Sequence, residues 1–272
     1  MTMKKLILPL LIILSVSCIS IFAQAVPKSE PYKLGESLSY EGKFSKAILR
    51  GIEVASLNFT VENTPPGKNY LVKSEAKSKG TLTKLFRFRF YQTIQSTVDG
   101  EKFRILKTVK HDEQDDRVRD SQAIFDYRDK KVIYVETDPQ DLARPPRKVA
   151  TRIEEDTQDF ITGIYKLRSL PLAVGKTFEL NITDSGLIYK IPVRVTAREQ
   201  QKSILGKTWC FRVEPEVFGA DRLIDNKGNM IIWITDDTRR IPVRSQINTG
   251  IGRIEVRLKQ IQFIKQNSSV EP

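Results

Sequence analysis

The sequence is poor in the residues that most often carry out catalysis or bind metals. Its 272 residues include one histidine, His111, and two cysteines, Cys18 and Cys210. A zinc site normally needs several His or Cys ligands, which this chain does not supply. A Ser–His–Asp triad would depend on His111, and the run His111-Asp-Glu-Gln-Asp115-Asp116 is typical of an exposed, charged hairpin turn. We therefore expect neither a metal nor a catalytic histidine.

Catalytic and cofactor signatures are missing as well. The chain has no G-x-S-x-G elbow, no H-E-x-x-H helix and no phosphate-binding Walker loop. Neighbouring carboxylates occur at Glu154, Glu155 and Asp156 and again at Asp236 and Asp237, so a hydrolase acting on cell-wall or lipid substrates stays open as an alternative. The pattern favours a protein that is not an enzyme, with no catalytic residue and no cofactor.

The N-terminus has the order of a secretory signal peptide. Lys4 and Lys5 precede an apolar run from Leu6 to Phe22, and Ala23-Gln-Ala25 places small residues where signal peptidase reads them. The run is too short for a membrane anchor, which needs about 20 apolar residues. We expect residues 1–25 to be removed, leaving a single β-rich domain over 26–272, with its core at about 32–264, in the periplasm or cell envelope.

A lipoprotein is the alternative for this N-terminus. Ser15-Val-Ser-Cys18 resembles a lipobox in which Cys18 would carry the lipid. Under either interpretation the exported domain keeps Cys210 alone, so no internal disulfide can form. Because Cys210 lies in the apolar run Thr208-Trp-Cys-Phe211, we expect it to be a buried hydrophobic residue and not a nucleophile.

Charge is plentiful and mostly positive, with a formal net charge of +12. Basic and acidic residues are interleaved along the chain, as on the solvated face of a sheet. The alternative is a surface that meets anionic lipid headgroups or envelope polymers. Nucleic acid is not an expected partner, because the chain is exported and has no nucleic-acid-binding motif.

Alternation of apolar and polar residues dominates the sequence and predicts strands. Odd positions are apolar through 187–197, so this strand has one wet face, which favours an antiparallel sheet. Pro192 within it predicts an edge strand or a bulge. A phase change between Leu258 and Ile261 predicts a β-bulge in the last strand. The predicted strands are 35–45, 55–61, 69–78, 90–98, 102–110, 119–127, 131–137, 177–183, 187–197, 207–218, 230–236, 241–249 and 254–263.

One segment, 157–170, has helical periodicity instead. Phe160, Ile164 and Leu167 lie at i, i+4 and i+7, and Asp156 or Thr157 is placed to cap the helix. About a dozen closely spaced strands and this helix predict a mainly β fold. We expect a curved antiparallel sheet, barrel-like or a half-barrel, with one amphipathic helix packed on it. A shorter helical turn is possible at 82–86.

Several stretches together resemble a family of bacterial exported proteins known as domain of unknown function 3108. The resemblance spans about residues 32–264 and implies a β-rich envelope protein, without an activity to transfer. The matching segments begin at Gly35-Glu-Ser-Leu-Ser-Tyr40, Ser96-Thr-Val-Asp99-Gly100, Asp159-Phe-Ile-Thr-Gly-Ile-Tyr165-Lys-Leu-Arg168, Trp233-Ile-Thr-Asp-Asp237-Thr-Arg-Arg-Ile-Pro242 and Gly252-Arg-Ile-Glu-Val-Arg-Leu258. The candidate functional or structural positions in them are Asp159, Tyr165, Arg168, Trp233, Asp237 and Pro242.

The leading functional hypothesis is an envelope protein that binds an apolar or lipid-like ligand, or an envelope partner, in the concave side of its sheet. It rests on fold analogy alone. The alternatives are a structural or interaction module of the envelope that uses its basic outer face, and the hydrolase. The observation that separates them is the presence or absence of a continuous apolar cavity between the sheet and helix 157–170.

Overall fold

The computed structural model describes residues 33–64 and 69–263. The predicted signal peptide, its cleavage positions Ala23 and Ala25 and the lipobox residue Cys18 lie outside these ranges. The described residues form fifteen strands and two helices. They are β1 (Glu36–Lys46), β2 (Leu49–Thr64), β3 (Asn69–Ser78), α1 (Gly80–Phe86), β4 (Phe90–Asp99), β5 (Arg104–Gln114), β6 (Arg117–Asp126), β7 (Lys131–Thr137), β8 (Arg147–Arg152), β9 (Gln158–Asp159), α2 (Phe160–Ser169), β10 (Thr177–Asp184), β11 (Leu187–Ser203), β12 (Gly206–Pro215), β13 (Gly228–Thr235), β14 (Pro242–Thr249) and β15 (Gly252–Phe263).

All fifteen strands belong to one sheet. Its order is β8-β7-β6-β5-β4-β3-β2-β1-β15-β14-β13-β12-β11-β10-β9. Every neighbouring pair is antiparallel except β9 and β10, so the sheet is two meanders joined where β1 pairs with β15. This joint brings the first and last strands of the chain together at the middle of the sheet. The predicted curved antiparallel sheet is confirmed.

The alternation in the sequence sets the faces of the strands. In β1 every second residue from Glu36 to Phe44 is buried, and in β11 Ile191, Val193 and Val195 are buried between half-buried or exposed neighbours. The predicted bulge in β15 is confirmed, because Ser39 pairs with Gln260 while Tyr40 pairs with Leu258. The residue between these partners is unpaired, which restores the apolar phase after Leu258.

Three sequence expectations about strands are wrong. Pro192 lies in β11, which has neighbours on both sides, and the bulge of this strand falls between Val195 and Ala197. The proline lies just beyond Pro215, the last paired residue of β12, so its missing N–H interrupts no bond within that ladder, and its carbonyl still accepts from the backbone N–H of Glu216 at 2.9 Å. Strand β8 was not predicted, since its sequence is mostly polar. Residues 158–159, expected in a helix, form β9 against Ile182 and Thr183.

Helix α2 lies on the concave side of the sheet and contacts both of its halves. Ile161 and Tyr165 pack against residues of β2, β3 and β4, whereas Leu167 packs with residues of β10 to β13. The predicted helix is confirmed, but it begins at Phe160 with Asp159 as its cap, later than expected. Phe160 was predicted to face the sheet and is exposed instead. The helix is buried on more than one side because the sheet curves around it.

The curved sheet closes on itself through side chains and turns. The β10–β11 turn meets β8, where Thr151 Oγ1 donates to the carbonyl of Gly186 at 2.6 Å and Arg147 donates to that of Ser185 at 3.1 Å. A Cβ atom on Gly186 would lie 2.8 Å from Cβ of Tyr134 and 2.9 Å from Cβ of Val149. We call this contact between β8 and the β10–β11 turn the seam, and its packing requires a glycine at position 186.

Antiparallel order gives the sheet two ends. The end that holds the β1–β2 and β14–β15 hairpin tips and α1 is called the upper end. The end at which β1 begins and the β13–β14 turn lies is called the lower end. The N-terminal half also has its own short helix, α1, at the predicted helical turn. Within the described ranges, no helix is long and apolar enough to cross a membrane.

Replacing Gly186 tests the tight packing of the seam, and replacing Gly206 is the matched control. Both have φ of +80°, but no atom lies within 4 Å of a Cβ built on Gly206. In urea unfolding we expect Gly206→Ala to lower the free energy of unfolding by about 1 kcal/mol, from the left-handed backbone alone. Gly186→Ala should lower it by about 2–4 kcal/mol, because overpacking adds to the strain. Equal losses would show that the seam is not tightly packed.

Candidate functional site

The motif residues of the helix converge on a buried ion pair at the lower end. Arg168 of α2 donates to Glu36, the first residue of β1, from Nη1 to Oε1 at 2.5 Å and from Nη2 to Oε2 at 2.8 Å. Both side chains are 2% exposed. Nη2 also donates to the carbonyl of Arg239 at 3.1 Å, and the ring centre of Tyr165 lies 5.1 Å from the guanidinium carbon. The guanidinium thus joins α2 to β1 and to the β13–β14 turn.

Tyr40 of β1 makes a second connection to the same turn. Its hydroxyl donates to the carbonyl of Pro242 at 2.9 Å. Burial raises the pKa of Tyr40 and of Tyr165, although the nearby Arg168 opposes the shift. Both phenols therefore stay protonated at any physiological pH. They can donate hydrogen bonds here, but they cannot act as bases.

Asp237 shapes the turn that meets Arg168. Its Oδ1 accepts from the hydroxyl of Thr235 at 2.7 Å and from the backbone N–H groups of Arg239 and Arg240 at 3.0 and 3.2 Å. Its Oδ2 accepts from the guanidinium of Arg239. Partial burial alone would raise the pKa of Asp237, but these hydrogen bonds outweigh it and the pKa is lowered. The carboxylate holds the turn in shape.

Asp159 lies at the other end of α2 and has a structural role of the same kind. Its Oδ1 accepts from the backbone N–H of Thr162 at 2.8 Å, and the backbone N–H of Asp159 donates to the Thr162 hydroxyl oxygen at 3.1 Å, which completes a capping box. Its Oδ2 accepts from the hydroxyls of Ser96 in β4 and Thr108 in β5. This carboxylate anchors the start of the helix to two strands.

Trp233 is separate from that network. Its indole N–H donates to Glu199 of β11, and the guanidinium carbon of Arg244 lies 4.4 Å from its ring centre. Trp233 and Ile231 belong to one core cluster while Ile232 and Ile234 belong to another. Strand β13 is therefore buried on both faces, and Trp233 packs on the face away from α2.

Four of the six candidate positions, Tyr165, Arg168, Asp237 and Pro242, thus belong to one network, and the partner of Arg168 in it, Glu36, is a residue that sequence reasoning missed. Glu36 was part of a quoted motif but was not singled out. The sequence did contain a signal for Glu36, because it lies at an even position of β1, on the same face as the apolar Leu38 and Tyr40. A carboxylate on the core side of a strand indicates a buried partner.

The cysteine and the histidine do not form a reactive centre in the described chain. Cys210 is fully buried, and burial raises the pKa of its thiol to about 11. The prediction that His111 lies in a turn is wrong, because it lies within β5 and the turn follows at 115–116. Hydrogen bonds to Glu113 and Asp120 raise the pKa of His111. Among the described residues, no group of three His, Cys, Asp or Glu is placed to hold a metal.

Side chains of α2 occupy the space between this helix and the sheet. An apolar cleft there, lined by residues such as Ile164, Leu167, Ile182 and Ile232, has a volume of only about 40 Å³. Small-molecule sites are usually about 300–1,000 Å³. Among the described residues, this cleft beside α2 thus has no preformed room for an acyl chain, because the side chains of the helix occupy it.

A much larger depression lies on the outer face near the upper end, and we call it the basic groove. Its volume is about 970 Å³, and it lies along β1, β15 and the β1–β2 hairpin. Its side chains include six cations and one carboxylate. They are Lys43, Lys46, Arg50, Arg253, Arg257, Lys259 and Glu255. Glu255 accepts from Arg244 and Arg257, so the groove keeps an excess of positive charge.

These features define a barrel-like β protein with a helix packed on the concave side of its sheet and a basic groove on its outer face. The chain belongs to the family described as protein of unknown function (DUF3108), which matches residues 39–259 and confirms the resemblance seen in the sequence. A search of curated proteins finds no significant match.

Solved structures support the fold. A beta-barrel-like protein of domain of unknown function DUF1849 from Brucella abortus aligns with a TM-score of 0.60 at 10% identity, covering 86% of this chain and 99% of that one. A DUF1089 family protein from Pseudomonas aeruginosa gives 0.39 at 12% identity, over 73% and 92%. A protein from Bacteroides fragilis with a YmcC-like fold, proposed to be exported, gives 0.30 at 11%, over 85% and 97%. Only the first score is high enough to inform the architecture.

The burial of both charges predicts how strongly the Arg168–Glu36 pair contributes to stability. Glu36→Leu and Arg168→Leu should each lower the free energy of unfolding by about 3–5 kcal/mol, because each leaves a buried charge without its partner. The double variant should lose much less than the sum. As a surface control, Lys131→Ala breaks an exposed pair with Asp129 and should cost less than about 1 kcal/mol. Additive losses in urea unfolding would contradict a direct coupling.

The burial of Cys210 predicts that its thiol reacts slowly in the folded protein. At pH 8 the thiol should react with a disulfide reagent far more slowly in the native protein than in urea, because it is inaccessible and its pKa of about 11 leaves little thiolate. The rates are read from the absorbance of the released thiolate. A native rate close to the unfolded rate would return Cys210 to the list of candidate nucleophiles.

Proposed function

We propose that this chain is a non-catalytic binding module of the cell envelope that holds an anionic polymer or surface in the basic groove. The observation that carries the proposal is the groove itself, with six cations around one carboxylate on an open surface. A cleft lined by one sign of charge attracts oppositely charged partners and raises their local concentration. Export of the chain, which supports an envelope partner, is proposed from the Lys4 to Ala25 signal pattern.

The packing beside α2 on the concave side of the sheet favours binding on the outer surface over binding of an apolar ligand next to the helix. The cleft beside α2 is too small for an acyl chain, and Asp159 and Arg168 hold both ends of the helix. Binding a lipid there would require the helix to leave the sheet and a buried ion pair to break. Such a step is costly, since separating a buried pair leaves both charges poorly solvated.

The arrangement of carboxylates supports a function without catalysis. Asp236 accepts from Arg198 at 2.6 Å, and Asp237 is bound by Arg239. Glu155 pairs with Arg104 at 2.9 Å, and Asp156 accepts from Asn181 at 2.9 Å. A general acid at neutral pH needs a carboxyl whose pKa is raised, whereas the hydrogen bonds to Asp237 lower the pKa of that carboxyl.

The test is binding of a soluble polyanion, dextran sulfate, to the purified protein. We expect Lys46→Glu/Arg253→Glu to weaken binding at least about tenfold, because the change places two negative charges within the groove. The matched control is Lys148→Glu/Lys207→Glu, which makes the same change in net charge at two exposed lysines outside the groove. Fluorescence anisotropy of labelled polymer at low and high salt measures both variants.

The control pair should bind like the unchanged protein, and added salt should weaken the binding of both. If the two double variants lose affinity equally, net charge and not the groove is responsible. If the unchanged protein binds neither this polymer nor an anionic lipid surface at low salt, the proposed function is wrong.

A further inference from the structure

Two exposed isoleucines lie at neighbouring hairpin tips of the upper end. Ile48 is 93% exposed at the β1–β2 tip, and Ile251 is 67% exposed at the β14–β15 tip. The two hairpins are neighbours, because β1 and β15 pair up to Ser45 and Arg253, next to both tips. Tips of hairpins are normally polar, since polar turn residues lose nothing in water. Two adjacent aliphatic tips indicate a surface that meets something apolar.

Helix α1 adds aromatic and aliphatic surface at the same end. None of its seven residues is buried, and both Leu85 and Phe86 are exposed. The ring of Phe86 lies 5.0 Å from that of Phe44, and Phe44 lies directly under Gly252 of the β14–β15 tip. The helix therefore sits next to the two tips, and Phe88 just beyond it is exposed as well.

Cations surround this apolar surface. Lys46 and Arg50 flank Ile48, Arg253 follows Ile251, and Lys84 lies on α1. None of the salt bridges within residues 33–64 and 69–263 involves Lys46, Arg50 or Arg253. The acids nearest to them along the strands are already shared among other cations. Glu53 pairs with Lys79 at 2.6 Å, and Glu41 lies within reach of Lys43 and Lys259.

We propose that the upper end docks on the surface of an anionic lipid bilayer. Ile48, Ile251 and the exposed side of α1 enter the headgroup boundary, while Lys46, Arg50 and Arg253 meet lipid phosphates. This inference rests on the proposed function, whose anionic partner it names. A soluble polyanion explains the cations but not the exposed isoleucines. Interfacial binding needs both, because its strength combines buried apolar area with attraction to anionic headgroups.

The first test removes the apolar tips and keeps the charge. The purified protein is co-sedimented with vesicles of phosphatidylglycerol and phosphatidylcholine. We expect Ile48→Ser/Ile251→Ser to weaken vesicle binding about tenfold or more, since both side chains lose apolar burial in the bilayer. The matched control is Leu34→Ser/Ile204→Ser, two exposed apolar residues at the lower end, which should bind like the unchanged protein.

The second test keeps the tips and changes the lipid or the cations. Binding to pure phosphatidylcholine vesicles should be weaker by at least about tenfold, and Lys46→Glu/Arg253→Glu should lower binding to the mixed vesicles by about fivefold or more per residue. Equal binding to neutral and anionic vesicles overturns the proposed role of the cations. Equal losses in the two serine variants overturn the proposed role of the tips.

Dextran sulfate separates the failure of this inference from the failure of the proposed function. Binding to the polymer without binding to anionic vesicles overturns docking on a membrane and leaves the basic groove as a polyanion site. Binding to neither overturns both. If the Ile48→Ser/Ile251→Ser variant loses vesicle binding and keeps its affinity for the polymer, the tips act on the bilayer and not on the groove.

Discussion

The ion pair between Arg168 and Glu36 is the interaction on which the arrangement of the rest depends. It joins residues that are 132 positions apart, one on the helix and one at the start of the first strand. The same guanidinium reaches the carbonyl of Arg239, so the β13–β14 turn is held at the same point. Because both charges are removed from water, they are stable only together and only in this geometry. The pair therefore sets where α2 lies in the curve of the sheet.

The position of the helix decides where a partner can bind. A curved sheet of this size encloses space, and α2 fills it with Ile161, Tyr165 and Leu167. What remains beside the helix is a small apolar cleft. The proposed binding surface lies outside, where β1 and β15 meet and their hairpin tips project. The strands that join the two halves of the sheet thus also build the basic groove.

The residues that mark the family in the sequence mostly hold the fold together. Asp159 caps the helix and binds β4 and β5, Asp237 shapes a turn, and the carbonyl of Pro242 accepts from Tyr40. In a sequence, residues that hold the fold together look like residues of a functional site. Both kinds are often polar residues within apolar runs, which are unusual. The residues of the proposed membrane surface, such as Ile48 and Lys46, do not stand out from their local sequence. Their meaning comes from exposure and from their neighbours across strands.

The sequence by itself determined most of the strands, the alternation of their faces and the presence of the helix, because alternation and helical spacing are local patterns that the backbone repeats. The bulge after Leu258 could be predicted for the same reason. The partner of Arg168, the burial of the helix on several sides, the place of His111 within a strand and the pairing of residues 158–159 with β10 were decided by the tertiary structure. Each depends on segments far apart in the chain, which local spacing does not encode. The basic groove is of this kind too, since its charges come from both ends of the sequence and meet only where β1 pairs with β15.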